Sequence, residues 1–314
     1  ISELWKNAYD AYARNVALDL YPGDRPVAVI SDDGHGMNRD EFESKWLVVG
    51  TESKATNHST PIEDRNGLPP RPRQGQKGIG RLSCANLGPV LLLVSKRSGA
   101  DFVAALLDWR LFENPYMNLG DIEVPLTEFS AKEELFKQLP ELSRRMTANV
   151  LGSDDERGQR VRAAWSAYDL LQERSRDPDV EDVTPLPSAA ILGDAAELPF
   201  NATHLATWPV WKDDSPHGTA LLVTRINYDL AVELDQAMLD ASARGARERF
   251  FETLTSFVDP FFDPSAPGSA ASQVEFSYAV RAWNGEKPRH IVGAEKQFDR
   301  RMLDGMEHML DGVV

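Results

Sequence analysis

Glycine spacing constrains this chain more than any other feature. Asp32-Asp33-Gly34-His35-Gly36 comes at once after the β-branched run Val27 to Ser31, and Gly75-Gln76-Lys77-Gly78-Ile79-Gly80 stands at the head of the short helical stretch Arg81 to Leu87. Glycines let a backbone turn sharply and approach a ligand closely. N–H groups freed at a helix start form an anion site. Taken singly, each group also fits an ordinary Asp/Gly turn. Neither is a P-loop, which needs Gly-Lys-Ser/Thr after its spacer, nor the dinucleotide pattern G-x-G-x-x-G. A calcium loop fails on spacing: with Asp32 or Asp33 as the first position, the third and fifth are Gly, His or Met, and no Gly falls at the sixth.

A third pattern precedes both. Glu3, Asn7 and Asp10 are spaced four and three apart, which puts them on one face of a helix, while Leu4, Ala8 and Ala11 lie on another face fit for packing. Such a triple is usually a solvated face. It can also present a carboxylate able to act as base and an amide oxygen suited to Mg²⁺.

Ser2 to residue 20 has helical spacing, ended by Pro22-Gly23. Arg39 to Val49 is helical. Thr51 to Gln76 carries Pro61, Pro69, Pro70 and Pro72 and reads as a long loop. Strands are expected at Val27–Ser31, Val90–Lys96, Phe102–Trp109, Thr219–Ile226 and Gln273–Trp283, with Asn284-Gly285 as a turn and His290–Val292 pairing back. Helices are expected at Ala131–Val150, Arg157–Arg174, Ala231–Phe257 and Phe298–Leu310, with Asp177–Pro187 as an acidic linker.

The ordered set of patterns resembles the GHKL ATPases: DNA gyrase, the ninety-kilodalton heat-shock chaperone, histidine kinases and MutL. Glu3 to Ala11 looks like their N-box, Asp32 to Met37 like the first glycine box, Gly75 to Gly80 like the second, and Gly218-Thr219, which follow His217 at a strand start, like the last. The resemblance implies an α/β (α+β) two-layer sandwich, the Bergerat-type ATP-binding fold, with a mixed, mostly antiparallel sheet, helices on one face and a helical insertion. It implies ATP and Mg²⁺ as ligands. Glu3 would be the catalytic base toward water and Asn7 the metal ligand. Asp32 would accept from the adenine amino group with Thr219 in support, and Gly34, Gly36 and Met37 would shape the pocket. Lys54 and the segment to Gly75, Gln76, Lys77, Gly78, Ile79 and Gly80 would form the lid over the phosphates, and Asp10 would have a structural or dimer-coupling role.

A carboxylate at Glu3 separates this chain from histidine kinases, which need no base for water. The lid segment Gly50 to Lys54 and the second box look most like bacterial MORC-like or chaperone-like proteins, many of them placed in defence or repair. The expected activity is slow Mg²⁺-dependent hydrolysis of ATP used as a conformational switch. The alternatives are a nucleotide sensor without turnover and, further off, a protein-histidine kinase. Residues 1–112 and 212–283 would form the ATP-binding domain, 113–211 a largely helical insertion, and 284–314 a helical extension or the start of a following domain. The resemblance also implies an ATP-dependent homodimer of a longer protein, with a further protein partner not identified. The family's strap would precede the N-box, and Lys287 and Lys296 are the candidates for a lysine that contacts the γ-phosphate.

Composition narrows the setting. The chain has 314 residues, 42% hydrophobic and 26% charged, and a formal net charge of −15. So acidic a surface is a poor general partner for nucleic acid, and the Arg65, Arg71 and Arg73 cluster reads as a solvated loop. The longest apolar run, Pro89 to Val94, is far too short for a bilayer. A lone cysteine, Cys84, forms no internal disulfide and points to a reducing, cytoplasmic compartment. It is expected to pack beneath the second-box helix. No Cys/His cluster suggests zinc.

Overall fold

Helix α1 (Ser2–Asp10) buries Leu4, Trp5, Ala8 and Tyr9 and leaves its other side half-exposed. The helical spacing does not continue to residue 20 as expected. Tyr12 adopts φ 57, the left-handed region, and the chain reverses into strand β1 (Asn15–Tyr21). The reversal is fixed by Asp33, whose carboxylate accepts from the Arg14 amide at 2.7 Å, the Asn15 amide at 2.8 Å and Asn15 Nδ2 at 2.7 Å. The computed structural model describes residues 1–47, 60–71, 74, 80–176, 184–233, 241–255 and 276–292.

Along the chain come next β2 (Val27–Asp32) and a single turn α2 (Arg39–Glu41), closed by an Asn38/Glu41 capping box. That turn passes into a π-helical turn over Phe42–Trp46. A 3₁₀ helix at Gly80–Asn86 leads to β3 (Val90–Lys96), β4 (Phe102–Asp108) and β5 (Leu126–Phe129). The connection from β4 to β6 holds α3 (Leu135–Leu151), α4 (Glu156–Arg174) and α5 (Pro187–Ala196). After it lie β6 (Gly218–Thr224), α6 (Tyr228–Ala231), α7 (Ala241–Thr255), β7 (Ser277–Asn284) and β8 (Lys287–Val292).

The strands form one sheet in the order β5-β4-β3-β6-β2-β1-β7-β8. Neighbours are antiparallel except β1 and β7, which run parallel. Each strand expected from the sequence is present. The sheet adds β1, read as helix, and β5, too short to stand out; the hairpin partner of β7 starts at Lys287 rather than His290. The helix expected over Phe298–Leu310 lies outside the described residues.

Alternation along the strands feeds two apolar layers. Val27, Val29, Val90, Leu92 and Val94 face one side, with Leu135, Leu142 and Met146 of α3, Val161 and Trp165 of α4 and Ile191 of α5. Ala28, Ile30, Leu91 and Val223 face the other, with Leu4, Trp5 and Ala8 of α1 and Cys84 and Leu87. Helices thus lie on both faces, the β4–β6 connection supplying the second layer. Covered on both sides, β3 and β4 read as unbroken apolar runs. The connection is pinned at the far strand ends by Asp194 of α5, which accepts from Arg110 Nη2 at 2.8 Å and Arg225 Nε at 2.7 Å.

Candidate functional site at the ends of β2, β3 and β6

Strand register brings the separated sequence patterns together. Asp32 at the end of β2 pairs with Thr219 of β6, and Thr219 and Gly218 pair in turn with Ser95 and Lys96 at the end of β3. Asp32 is half-buried, and its Oδ1 accepts from the Gly34 amide at 2.8 Å. Burial pushes the carboxyl up to about 7, and the neighbouring charge of Asp33 adds to the shift, against hydrogen bonds from the Gly34 and Thr219 amides.

The glycines are required by contact. At Gly34 a β-carbon would lie 2.8 Å from the Ala11 carbonyl oxygen; at Gly36, which has φ +64, it would lie 1.9 Å from that of Lys96. The His35 amide donates to the Ala11 carbonyl at 2.9 Å. The first glycine group is therefore wedged between the end of α1 and the end of β3. His35 Nδ1 lies 2.7 Å from the Gly36 carbonyl, and burial lowers its pKa.

Sequence reasoning missed several residues that hold this corner. Ser95, fully buried, accepts from the Met37 amide at 2.9 Å, and its Oγ lies 3.1 Å from Thr219 Oγ1. His217 Nδ1 lies 2.8 Å from the Gly34 carbonyl. Trp208, from the β4–β6 connection, donates its indole N–H to the Asp32 carbonyl at 2.8 Å. Ser95 and Trp208 belong to no spaced pattern, and His217 stands beside the last glycine group without a role of its own being legible there. Ser95 alone gave a local signal, as a polar residue after the run Leu91 to Val94.

Helix α1 carries Glu3 and Asn7 on its half-exposed side. Lys6 Nζ pairs with Glu3 Oε1 at 2.6 Å. Among the described residues no group hydrogen-bonds the Asn7 side-chain amide. Asp10 accepts from the Gln74 amide at 2.8 Å, so α1 grips the chain leading to the second glycine group. Gly80 opens the 3₁₀ helix that packs against α1. Lys54 and Gly75 to Ile79 lie outside the described residues, as does Lys296; Lys287 is exposed at the β7–β8 turn. Arg71, read as part of a solvated cluster, is instead held: Nη1 donates to the Ala13 carbonyl at 2.7 Å, and the guanidinium lies 4.7 Å from the Tyr9 ring centre.

Among the described residues no group of three or more His, Cys, Asp or Glu could hold a metal. A magnesium ion that keeps its waters and binds mainly through phosphate oxygens needs no such cluster, and one uncommitted amide fits it. The acceptor at Asp32 and the hydroxyl at Thr219, side by side at the strand ends, fit a purine base that offers an amino donor. Among the described residues no helix is long and apolar enough to cross a membrane.

Residues 1–135 match the family model described as histidine kinase-, DNA gyrase B- and HSP90-like ATPase. The chain is also similar to a solved structure described as the N-terminal domain of a DNA repair protein, at 12% identity and a TM-score of 0.34, over 93% of this chain and 50% of that one. This chain thus spans half the length of that structure's chain. No curated protein matches it.

Proposed function

We propose, since residues 1–135 belong to the histidine kinase-, DNA gyrase B- and HSP90-like ATPase family, that this chain binds Mg²⁺·ATP and hydrolyses it slowly, as a conformational switch within a larger protein. The observation that carries the reading is the Asp32 carboxyl, held by the Gly34 amide and registered against Thr219 where three strands end. In that place it accepts a hydrogen bond from the adenine amino group, while guanine would offer it a carbonyl. Asn7 would hold Mg²⁺, which neutralises charge on the phosphates. Glu3, one helical turn before Asn7, orients water and takes its proton, a contribution of about 10²–10⁴-fold. Lys54 and Gly75 to Gly80 belong to the lid. Residues 1–112 and 212–283 form the nucleotide domain, 113–211 its insertion, and 284–314 an extension or the start of a further domain. A cytoplasmic homodimer in bacterial defence or repair is the setting in keeping with the motifs, and rests on the resemblance alone.

The second reading is a nucleotide sensor without turnover. It is favoured by the Lys6–Glu3 ion pair, which occupies the carboxylate needed as base. Phosphate release and calorimetric binding decide between them. Glu3→Gln should lose hydrolysis and keep ATP binding, and Asn7→Ala should lose Mg²⁺-dependent binding as well. Wild-type chain in its full-length context that binds ATP and releases no phosphate above background establishes the sensor.

A further inference from the structure

The β4–β6 connection returns to the sheet through Thr207, Trp208, Pro209 and Val210. Trp208 is fully buried in the apolar layer shared with α3, α4 and α5, on the face of the sheet opposite α1. From there its indole Nε1–H reaches the backbone carbonyl of Asp32 at 2.8 Å. The packing at that point leaves no slack. A β-carbon on Gly218 would lie 2.3 Å from the Asp32 carbonyl oxygen, 2.9 Å from Val210 Cγ2 and 3.1 Å from Trp208 Nε1. Gly218 precedes Thr219, the register partner of Asp32. The indole therefore fixes the peptide that carries the carboxyl, at a point where the strand start that carries the hydroxyl packs closely against it.

We propose that Trp208 is a positioning residue for adenine recognition, and that through it the segment between β4 and β6 takes part in choosing the base. This rests on the reading of Asp32 as the acceptor for the purine 6-amino group. The Asp32 carboxyl is oriented by the Gly34 and Thr219 amides and by its own main chain, which Trp208 holds. Without the indole N–H a buried carbonyl loses a donor, the Asp32 peptide re-aims to find another, and the carboxyl moves with it. Small displacements of a positioning group carry large costs in affinity. Linkage makes the effect reciprocal, so whatever moves Trp208 alters nucleotide affinity, and a bound adenine steadies Trp208.

The test compares ATP with purine riboside triphosphate, which lacks the 6-amino group, by titration calorimetry. Wild type should prefer ATP. Trp208→Phe, which keeps a ring and removes the donor, should lose about tenfold in ATP affinity while binding the des-amino nucleotide as before, so the ratio collapses. Thr207→Val removes the neighbouring hydrogen bond to Asp19 Oδ2 and should leave the ratio unchanged. A wild-type ratio in Trp208→Phe, or an equal loss for both nucleotides, overturns the proposal. Equal binding of the two nucleotides by wild type overturns the Asp32 reading itself and is told apart by needing no variant. Should Trp208→Phe fold poorly, the indole N–H resonance of the wild-type chain decides: ATP should shift it more than the des-amino nucleotide does, and equal shifts overturn the proposal.

Discussion

The main chain at Gly36 rests on the carbonyl of Lys96 so closely that a β-carbon would come within 1.9 Å of that oxygen. Because the atom in the way is backbone, no rotamer change relieves it. Gly36 also has φ +64, which costs a side-chain-bearing residue about 1–2 kcal/mol. Gly36→Ala should therefore destabilise the fold by at least about 2 kcal/mol and break the Met37–Ser95 hydrogen bond. A urea titration checks the first effect and ATP calorimetry the second. Wild-type values in both would show that this approach is not needed.

Asp32 carries opposite consequences for stability and for binding. Its folded pKa, about 7, lies above the ordinary carboxyl value of 3.8 because of burial. The stability it contributes is fully present below about pH 4 and is lost as pH rises through 7. Asp32→Asn, which has no charge to bury and can still accept from Gly34, should be the more stable protein at pH 8, by about 1–4 kcal/mol. The difference should vanish below pH 4. The same variant should lose about ten- to a hundredfold in ATP affinity, because a hydrogen bond to a charged acceptor is worth about 1.5–3 kcal/mol. A donor on the ligand favours the ionised carboxyl, so wild-type affinity should rise with pH through about 7, with proton release on binding. Thermal melts and calorimetry across pH 4–8 check each sign.

These residues also show what was legible in the sequence. The glycine groups and α1 stood out because their roles depend on short spacings, and β2, β3, β4, β6 and β7 stood out by apolar runs or alternation. Strand β1 did not, although Val16, Leu18 and Leu20 alternate, because Leu4, Ala8 and Ala11 carry a helical period into the same stretch. The break depends on the Asp33 carboxylate capping the amides of Arg14 and Asn15 from a distant turn. The contacts of Ser95, Trp208 and His217 were invisible for a related reason. Each reaches the corner through strand register or a long connection, and no local spacing records that.

His204 gives the β4–β6 connection an acid sensitivity of its own. It is buried against Tyr21, with ring centres 4.8 Å apart, and its Nδ1 accepts from the Asn201 amide. Burial lowers its pKa to about 4 from the ordinary imidazole value of 6.5. With the folded pKa lowered, its stability contribution is present above 6.5 and is lost as pH falls toward 4. Wild type should lose up to about 3 kcal/mol over that interval from this group. His204→Gln keeps an acceptor for Asn201 and should flatten the dependence. The slope of stability against pH is the quantity to compare, since the substitution also changes packing. Identical slopes in the two proteins would assign the acid effect elsewhere.

Asp194 tests whether the connection can be loosened without touching the nucleotide corner. Strand β6 begins at the site with Gly218 and ends at Thr224, beside Arg225, whose guanidinium lies on Asp194. Asp194 is 3% exposed and also accepts from Arg110, itself paired with Asp108. Asp194→Ala removes a buried acceptor from the guanidinium groups of Arg110 and Arg225 and a counter-charge 3.7 Å from Arg25. A buried pair broken from one side costs about 3–5 kcal/mol, lessened here because Arg110 keeps Asp108 and Arg225 can turn to water. A loss of about 2–4 kcal/mol is expected. Arg225→Ala, at a side chain 53% exposed, should cost under about 1 kcal/mol. Neither variant should change the ratio of ATP to des-amino nucleotide affinity, because the network sits at the opposite strand ends from Asp32 and Thr219. A changed ratio in Asp194→Ala would mean that the connection acts on the nucleotide corner as a whole body rather than through Trp208.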